Sequence, residues 1–409
     1  MKILVVAQYY YPEQFRTNDI CKQLVQDGHA VTVLTGIPNY PQGKFYDGYG
    51  IFKNREEVHE GVNIIRTFLI PRGNNKIQLA LNYFSFVIAG WFKALSLLKY
   101  DFDCVFVYET SPITMALPAI YIKKKKKIPL IMYVTDLWPE NVQAAGGINN
   151  KKILGMIGIV VDYIYNSCDK ILVSSKNFIE AVSNRGHNKN KIEFWPQYAE
   201  ELYTDKNVAD ESELDDIPGG FNIMFTGNIG QAQGLDIAIE AAEILKDQLD
   251  INWVFIGDGS AKIQLQKQVK KKKLENNFKF ISKKPVELMP LYLAKADAAF
   301  LSLKDDPVFS MTLPAKLQSY MASGIPILAS INGEAANTVL EARAGLVNNA
   351  GNAAELAKNV LTLYNMSNEE RKMLGKNARD FFEVNYKKTL LMDKFYKILN
   401  DQICISDSI

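Results

Sequence analysis

Short apolar runs recur along the chain at residues 3–7, 30–34, 104–107, 128–134 and 170–173, separated by longer stretches with a helical period. Runs of this length, apolar throughout rather than at alternate positions, predict strands buried on both faces. Their alternation with helices predicts a parallel sheet covered on both sides. A second series follows at 221–225, 252–256, 278–281, 298–301 and 325–329, again with helical patterns between. Between the two series the chain turns acidic through Asp205, Asp210, Glu211, Glu213, Asp215 and Asp216 and reaches Pro218-Gly219-Gly220, which reads as a linker. The expectation is an α/β protein of two successive domains, each with a parallel sheet, the first over 1–203 and the second over 204–385. The last stretch has helical periodicity and no further strand. Its helices should pack outside the second sheet, with 386–409 returning to the first domain.

Residues 77–92 carry no charge, yet the run is shorter than the about 20 apolar residues that a membrane span needs. Gln78, Asn82, Ser85, Ala89, Lys93 and Ser96 recur at intervals of three or four, a polar or small stripe on an otherwise apolar helix. Two placements fit this pattern: a helix buried against the first sheet, and a helix seated at an anionic membrane surface. Five lysines at 123–127 would add attraction to anionic headgroups in the second placement and are a solvated helix end in the first. A similar run at 270–273 reads as a solvated helix end.

At 409 residues the chain exceeds the usual limit of a single core, which agrees with two domains of roughly 200 residues each. A composition 48% hydrophobic and 22% charged excludes disorder and a disulfide scaffold. Lys plus Arg number 47 against 45 Asp plus Glu, so no overall field draws the chain to nucleic acid, and an anionic partner must be met locally. Cys21, Cys104, Cys168 and Cys404 form no Cys-x-x-Cys pair, and His29, His59 and His187 are equally scattered. This argues against a zinc site, a redox motif and a serine triad, and for chemistry without a metal. The apolar run after Met1-Lys2 ends at Gln8, too short for a secretory signal, which gives the expectation of a cytoplasmic chain.

In a doubly wound sheet ligands bind beyond the carboxyl ends of the strands. The loop from Gln8 to Arg16 follows the first strand without a G-x-G-x-x-G, which argues against a dehydrogenase. Glu13 and Arg16 on it are candidates for hydroxyl and phosphate contacts, or for a surface ion pair. Past the strand at 128–134, Asp136 and Glu140 are candidate catalytic carboxylates and Trp138 a candidate acceptor-stacking ring. Asp136 could orient or deprotonate a sugar hydroxyl, or it could be a helix cap beside a buried Trp. In the second half, Gly227, Asn228, Gly230 and Gln233 follow a strand, where glycines let backbone amides approach a phosphate. Thr312-Leu313-Pro314-Ala315-Lys316 reads as a helix start capped by Thr312: either a diphosphate site with Lys316 or an ordinary capped helix.

Asp136-Leu137-Trp138-Pro139-Glu140, Trp195-Pro196-Gln197-Tyr198, Gly227-Asn228-Ile229-Gly230 with Gln233-Gly234, and the run from Pro314 to Pro326 together resemble a bacterial glycosyltransferase of family four. The resemblance covers nearly the whole length and implies the family's architecture called GT-B, two Rossmann-like domains facing each other across a cleft. The chain is similar to the subgroup that includes N-acetyl-L-fucosamine transferases of O-antigen and capsule assembly. This implies transfer, with retention, from a UDP-sugar to a lipid-linked acceptor such as an undecaprenyl-diphosphate-linked glycan, with no metal or other cofactor. It places the donor diphosphate among Gly227, Asn228, Gly230, Gln233, Thr312, Leu313, Lys316 and Arg16. Uridine falls near Gly257, Gly259, Lys283, Lys284, Pro285 and Ser319, and the acceptor near Glu13 and Trp138.

Two departures stand out. The family usually carries an Arg and a Lys on the donor diphosphate where this chain has Asn228 and Gln233, and a pair of glutamates where it has Met311 and Ser319. Lys316 and Arg16 are the replacement charges the sequence offers, since a desolvated diphosphate without cations is costly. A UDP-N-acetylglucosamine 2-epimerase of the same fold and a catalytically inactive nucleotide-sugar-binding or scaffolding subunit are the other readings.

Overall fold

The computed structural model describes the chain except residues 74, 145–146, 149, 204–213 and 408–409. Of the acidic linker, Asp205, Asp210, Glu211 and Glu213 lie outside the described residues. By internal contacts the chain divides into two units, Met1–Trp195 with Lys394–Ile409, and Pro196–Asp393.

In the first unit the strands are β1 (Lys2–Val6), β2 (Ala30–Gly36), β3 (Glu56–His59), β4 (Val62–Thr67), β5 (Cys104–Glu109), β6 (Leu130–Val134), β7 (Lys170–Val173) and β8 (Ile192–Phe194). They form one sheet in the order β3-β4-β2-β1-β5-β6-β7-β8, parallel except for β3 against β4. Ile3 to Val6, all of β5 and all of β6 are buried, as continuous apolar runs covered on both faces must be. Val6 pairs with Leu34 of β2 and with Val107 of β5, so the strand order reverses direction beside β1. A ligand crevice opens at such a point in a doubly wound sheet.

The second unit repeats the plan with β9 (Phe221–Thr226), β10 (Ile251–Ile256), β11 (Phe278–Ile281), β12 (Ala298–Ser302), β13 (Ile327–Ser330) and β14 (Gly345–Asn348), in the order β11-β10-β9-β12-β13-β14. Its reversal lies between β9 and β12. Trp253 stacks on Phe278 and meets Phe300 edge to face in its core. Helices Ala353–Asn365 and Asn368–Asn385 pack outside this sheet, the second opened by a capping box in which Ser367 and Glu370 satisfy each other's amides.

The expected domain boundary at 203/204 moves to 195/196, and the return from 386 to 394. Aromatic packing explains both shifts. Trp195 meets Tyr133 and stacks on Phe395 at 4.9 Å, inside the first core. Three residues later Tyr198 is buried in the second unit, with the Lys388 ammonium over its ring at 5.9 Å. The Trp-Pro-Gln-Tyr motif thus marks the change of unit.

The helix Lys76–Leu97 packs one face against β2, β4 and the helix Ala116–Lys126 and leaves the other exposed, so it is only partly buried against the sheet. Asn82, Phe86, Gly90 and Ala94 face inward, while the large apolar residues on its other side meet solvent. Of the polar or small stripe read from the sequence only Asn82 lies on the buried face, where it accepts from Gln8 Nε2 at 2.7 Å and donates to the Ile70 carbonyl at 2.6 Å, while Gln78 and Ser96 are exposed.

Candidate active site

At the carboxyl end of the first sheet, Asp136 Oδ2 accepts a hydrogen bond from Ser111 Oγ at 2.9 Å, and Ser111 Oγ accepts one from Trp138 Nε1 at 3.0 Å. A hydroxyl donates one proton and accepts at the same time, so this chain of bonds has a direction that ends on the carboxylate. Ser111 holds φ at +100°, a region costly for any residue with a side chain and typical of functional sites.

Below the loop lies Glu109, wholly buried. Its Oε2 accepts from the Thr135 and Asp136 amides, both at 3.2 Å, and Oε1 meets no partner among the described residues. Burial, reinforced by the negative charge of Asp136, holds its pKa well above the ordinary carboxylate range. Burial thus favours the neutral form of Glu109 while its Oε2 anchors the loop. Burial also pushes Asp136 up to about 6, against the opposing pull of the Ser111 and Asn141 hydrogen bonds. Asp136 is therefore ionised at neutral pH and close enough to its pKa to take a proton.

Trp138 is nearly buried, 9% exposed, and its ring meets Tyr83 edge to face at 6.4 Å. With its N–H committed to Ser111, it supports Asp136 rather than presenting an open stacking face. Glu13 is also corrected: it is buried, and its carboxylate accepts the amides of Tyr10 at 3.2 Å, Asn39 at 2.7 Å and Tyr40 at 2.6 Å. It ties two loops together and has little surface left for an acceptor. Glu140 opens the helix Glu140–Ala144, with Oε1 3.9 Å from Arg185 Nη1 and a buried Oε2 that meets no partner among the described residues, so it remains a candidate carboxylate beside Asp136. Arg16 is the first residue of the helix Arg16–Gln26, within electrostatic reach of Tyr133.

Sequence reasoning missed Ser111, Glu109 and Arg72. Arg72 stands over the Tyr40 ring at 5.3 Å, and its charge acts on the Tyr9 hydroxyl and on Tyr83, on which Asp136 also acts. It brings positive charge to the same loops. Ser111 and Glu109 carried one usable signal, their place just past or at the end of a fully buried strand. Replacing Ser111 by Ala removes a donor that favours the ionised carboxylate. The acid limb of the pH–rate profile should then move above its position near 6, and Ser111→Gly, which relieves the backbone, should show the same shift. An unmoved limb in both variants would remove Ser111 from this role.

In the second unit the loops after β9 and β10 come close because both carry glycine. A Cβ on Gly257, whose φ is +144°, would stand 1.9 Å from the Gly227 carbonyl oxygen. A Cβ on Gly227, at φ +119°, would stand 3.0 Å from Lys316 Cε. Lys316 lies in the first turn of the helix Ala315–Ser323, its Nζ donating to Gln233 Oε1 at 3.0 Å and lying 5.0 Å from the Phe225 ring centroid. Burial pulls its pKa down to about 8. Lys316, Gly227 and Gln233, far apart in sequence, thus converge. Tyr320 of the same helix accepts the Thr226 amide at 3.1 Å and fixes the helix against β9.

Thr312 is not the cap of that helix. It ends the preceding helix Pro307–Met311 and donates to the Val308 carbonyl at 3.0 Å, while Pro314 occupies the N-cap position. Leu313 is buried, so only its backbone is available to a ligand. Asn228 is exposed beside Gly230 and Gly259. Lys283 donates its amide to Asp258 at 3.0 Å, and Lys284 pairs with Asp215 at 2.8 Å, so its charge is already balanced. Pro285 caps the turn Val286–Leu288. Ser319 bonds back to the Ala315 carbonyl at 3.4 Å. Two lysines were missed: Lys262, which braces the β10 loop through the Gly257 carbonyl and Asp258, and exposed Lys304, which lines a cleft with Gly230 and Gln231. No cluster of metal-ligating side chains occurs among the described residues.

Two family profiles match the chain, one on each unit: Glycosyltransferase Family 4 over residues 15–197 and Glycosyl transferases group 1 over residues 214–381. The chain is a family-four glycosyltransferase. An Escherichia coli K12 glycosyl transferase named for colanic acid biosynthesis, WcaI, is 23% identical over 79% of this chain and 82% of its own. Among solved structures, a sucrose-phosphate synthase from Thermosynechococcus elongatus superposes with a TM-score of 0.75 at 15% identity, covering 98% of this chain and 99% of that one. Anabaena HepE, solved in complex with UDP, gives 0.70 at 15% identity over 98% of this chain and 100% of its own. The GT-B fold of this glycosyltransferase, two Rossmann-like domains with C-terminal helices, is thereby established.

Proposed function

We propose that this glycosyltransferase moves a sugar, with retention, from a UDP-sugar held by the second unit to a hydroxyl of a lipid-linked glycan held by the first. The observation that carries the reading is the convergence of Lys316 and Gln233 beside Gly227 at the end of β9. There a lysine in the first turn of a helix, next to a glycine loop, suits a diphosphate. Lys316, with Lys304 nearby, stands in for the basic pair that Asn228 and Gln233 lack. Uridine fits the neighbouring ends of β10 and β11, around Gly257 and Gly259. Crystals of HepE with UDP support the choice of base. In the first unit Asp136 orients the acceptor hydroxyl or takes its proton, and Arg72 favours an anionic acceptor such as an undecaprenyl-diphosphate-linked glycan.

The WcaI relative, named for colanic acid biosynthesis, supports a place in surface polysaccharide assembly, and the reading extends this to capsule or O-antigen synthesis on the cytoplasmic side of the membrane. The motif resemblance favours an N-acetylated deoxyhexosamine such as N-acetyl-L-fucosamine as the transferred sugar. Incubation with a panel of UDP-sugars and an undecaprenyl-diphosphate-linked acceptor, with products resolved by mass and anomeric configuration, tests this. The expected product is an acceptor extended by one sugar with the donor's anomeric configuration. A sugar epimerised at carbon 2 without acceptor would point to the epimerase, and unchanged donor throughout to an inactive binding subunit.

A further inference from the structure

Large apolar side chains on the surface of the first unit are concentrated on two helices. On Lys76–Leu97, Ile77, Leu81, Phe84, Ile88, Phe92 and Leu95 are exposed, Ile77 to 74% and Phe84 to 65%. Spacings of three and four place them on one stripe along the full length of the helix. On Lys151–Ser167, Ile153, Met156, Ile159 and Tyr163 form a second stripe by the same spacing, with Ile159 71% exposed.

The helix Ala116–Lys126 joins the two. Trp91 meets its Tyr121 edge to face at 5.8 Å, and Lys124 Nζ lies 3.1 Å from Tyr163 Oη. This helix ends in the lysine run 123–127. Together with Lys127, the three helices carry nine lysines, and Asp162 is their one acidic residue. Lys93, Lys123 and Lys126 face Glu56, Asp169 and Asp101 from neighbouring segments. Lys76, Lys124, Lys125, Lys151 and Lys152 have no carboxylate partner among the described residues.

Exposed apolar stripes of this length mark an interaction site. We propose that the two helices form one membrane-docking face for an anionic lipid bilayer, lying in the plane of the interface with the lysines at headgroup level. The bonds of Asn82 to Gln8 and Ile70 hold Lys76–Leu97 along the domain surface, so it lies on the membrane and does not cross it. A second copy of the chain fits this face poorly, because stacking two such surfaces brings their lysines together. The proposal deepens the reading of a lipid-linked acceptor and in its purpose rests on it. Tyr83, on the same helix, touches Trp138 beside Asp136, so a glycan anchored in the docked membrane starts close to the carboxylate that acts on it.

Flotation of the full chain with phosphatidylcholine vesicles, and with vesicles that also contain phosphatidylglycerol, tests the face. The chain should float with the anionic vesicles at low salt. Binding should fall about tenfold with neutral vesicles, and as far in 1 M salt, where the Debye length shrinks to about 3 Å. The paired variants Phe84→Glu with Ile88→Glu, and Met156→Glu with Ile159→Glu, should each lower binding to anionic vesicles by about tenfold or more. All four side chains are solvent-exposed, and an unchanged circular dichroism spectrum and thermal unfolding midpoint would show that the variants are folded. Equal binding to neutral and anionic vesicles, no binding to either, or a dimer that the variants dissociate would overturn the proposal. Loss confined to the first pair would overturn the two-helix face. If vesicles do not bind while a lipid-linked acceptor is still glycosylated, the face falls and the transferase reading stands; binding without transfer separates them the other way.

Discussion

Asp136→Asn should lower the rate of sugar transfer by about 10² to 10⁴ while leaving UDP affinity nearly intact. The substitution keeps the size of the side chain and its capacity to accept from Ser111, but removes the negative charge and the basic site. A group acting only on the acceptor hydroxyl in the transition state should show its loss in turnover, not in donor binding. The pH profile gives a second signature. Asp136 works when ionised and its pKa is raised to about 6 by burial, so kcat/KM should fall as pH drops through that value. The limb should vanish in Asp136→Asn. Glu109 offers a contrast, because burial favours its neutral form and Glu109→Gln should therefore be tolerated far better than Asp136→Asn.

Lys316→Ala should weaken UDP-sugar binding by roughly ten- to a hundredfold or more, since a charge-assisted hydrogen bond contributes about 1.5 to 3 kcal/mol. Lys316→Gln should not restore the loss, because Gln233 already supplies polarity at the site and the missing property is charge. The ammonium is held at a pKa of about 8 by desolvation, so in the free protein it is largely charged below that value and loses its charge as pH rises through it. A bound diphosphate favours the charged form. Affinity for UDP should therefore decline as pH rises through about 8, with a proton taken up on binding that calorimetry in buffers of different ionisation enthalpy detects. A flat affinity across that range with no proton uptake would contradict a diphosphate on Lys316.

The parallel strands of both cores were legible because burial on both faces leaves an uninterrupted apolar run, as in Cys104–Glu109 and Ile251–Ile256. The hairpin of Glu56–His59 with Val62–Thr67 was not, because its first strand is charged and its second buries Arg66, whose guanidinium donates to the carbonyls of Asn54 and Tyr11. Gly345–Asn348 was missed for a related reason, being only half-buried along most of its length. For Lys76–Leu97 the stripe read from the sequence shares only Asn82 with the buried face, which also takes Phe86, Gly90, Ala94 and Leu97. Period alone gives a face, and only the partners of Asn82 say which way it turns.

The site shows the same limit. Asp136 and Lys316 stood out because a strand end and a helix start are visible in sequence. Ser111 and Glu109 did not, since each acts through a residue 25 to 27 positions away. Glu13 and Trp138 were placed in the right loops with the wrong partners: a carboxylate among backbone amides and an indole N–H beside a hydroxyl satisfy each other before any substrate arrives.

Titration of UDP into the unaltered chain, Asp136→Asn and Lys316→Ala by calorimetry tests the division of labour between the units most directly. The account predicts equal affinity for the unaltered chain and Asp136→Asn, and a loss of roughly ten- to a hundredfold for Lys316→Ala. UDP binding abolished by Asp136→Asn and untouched by Lys316→Ala would show that donor and acceptor units are the reverse of those assigned.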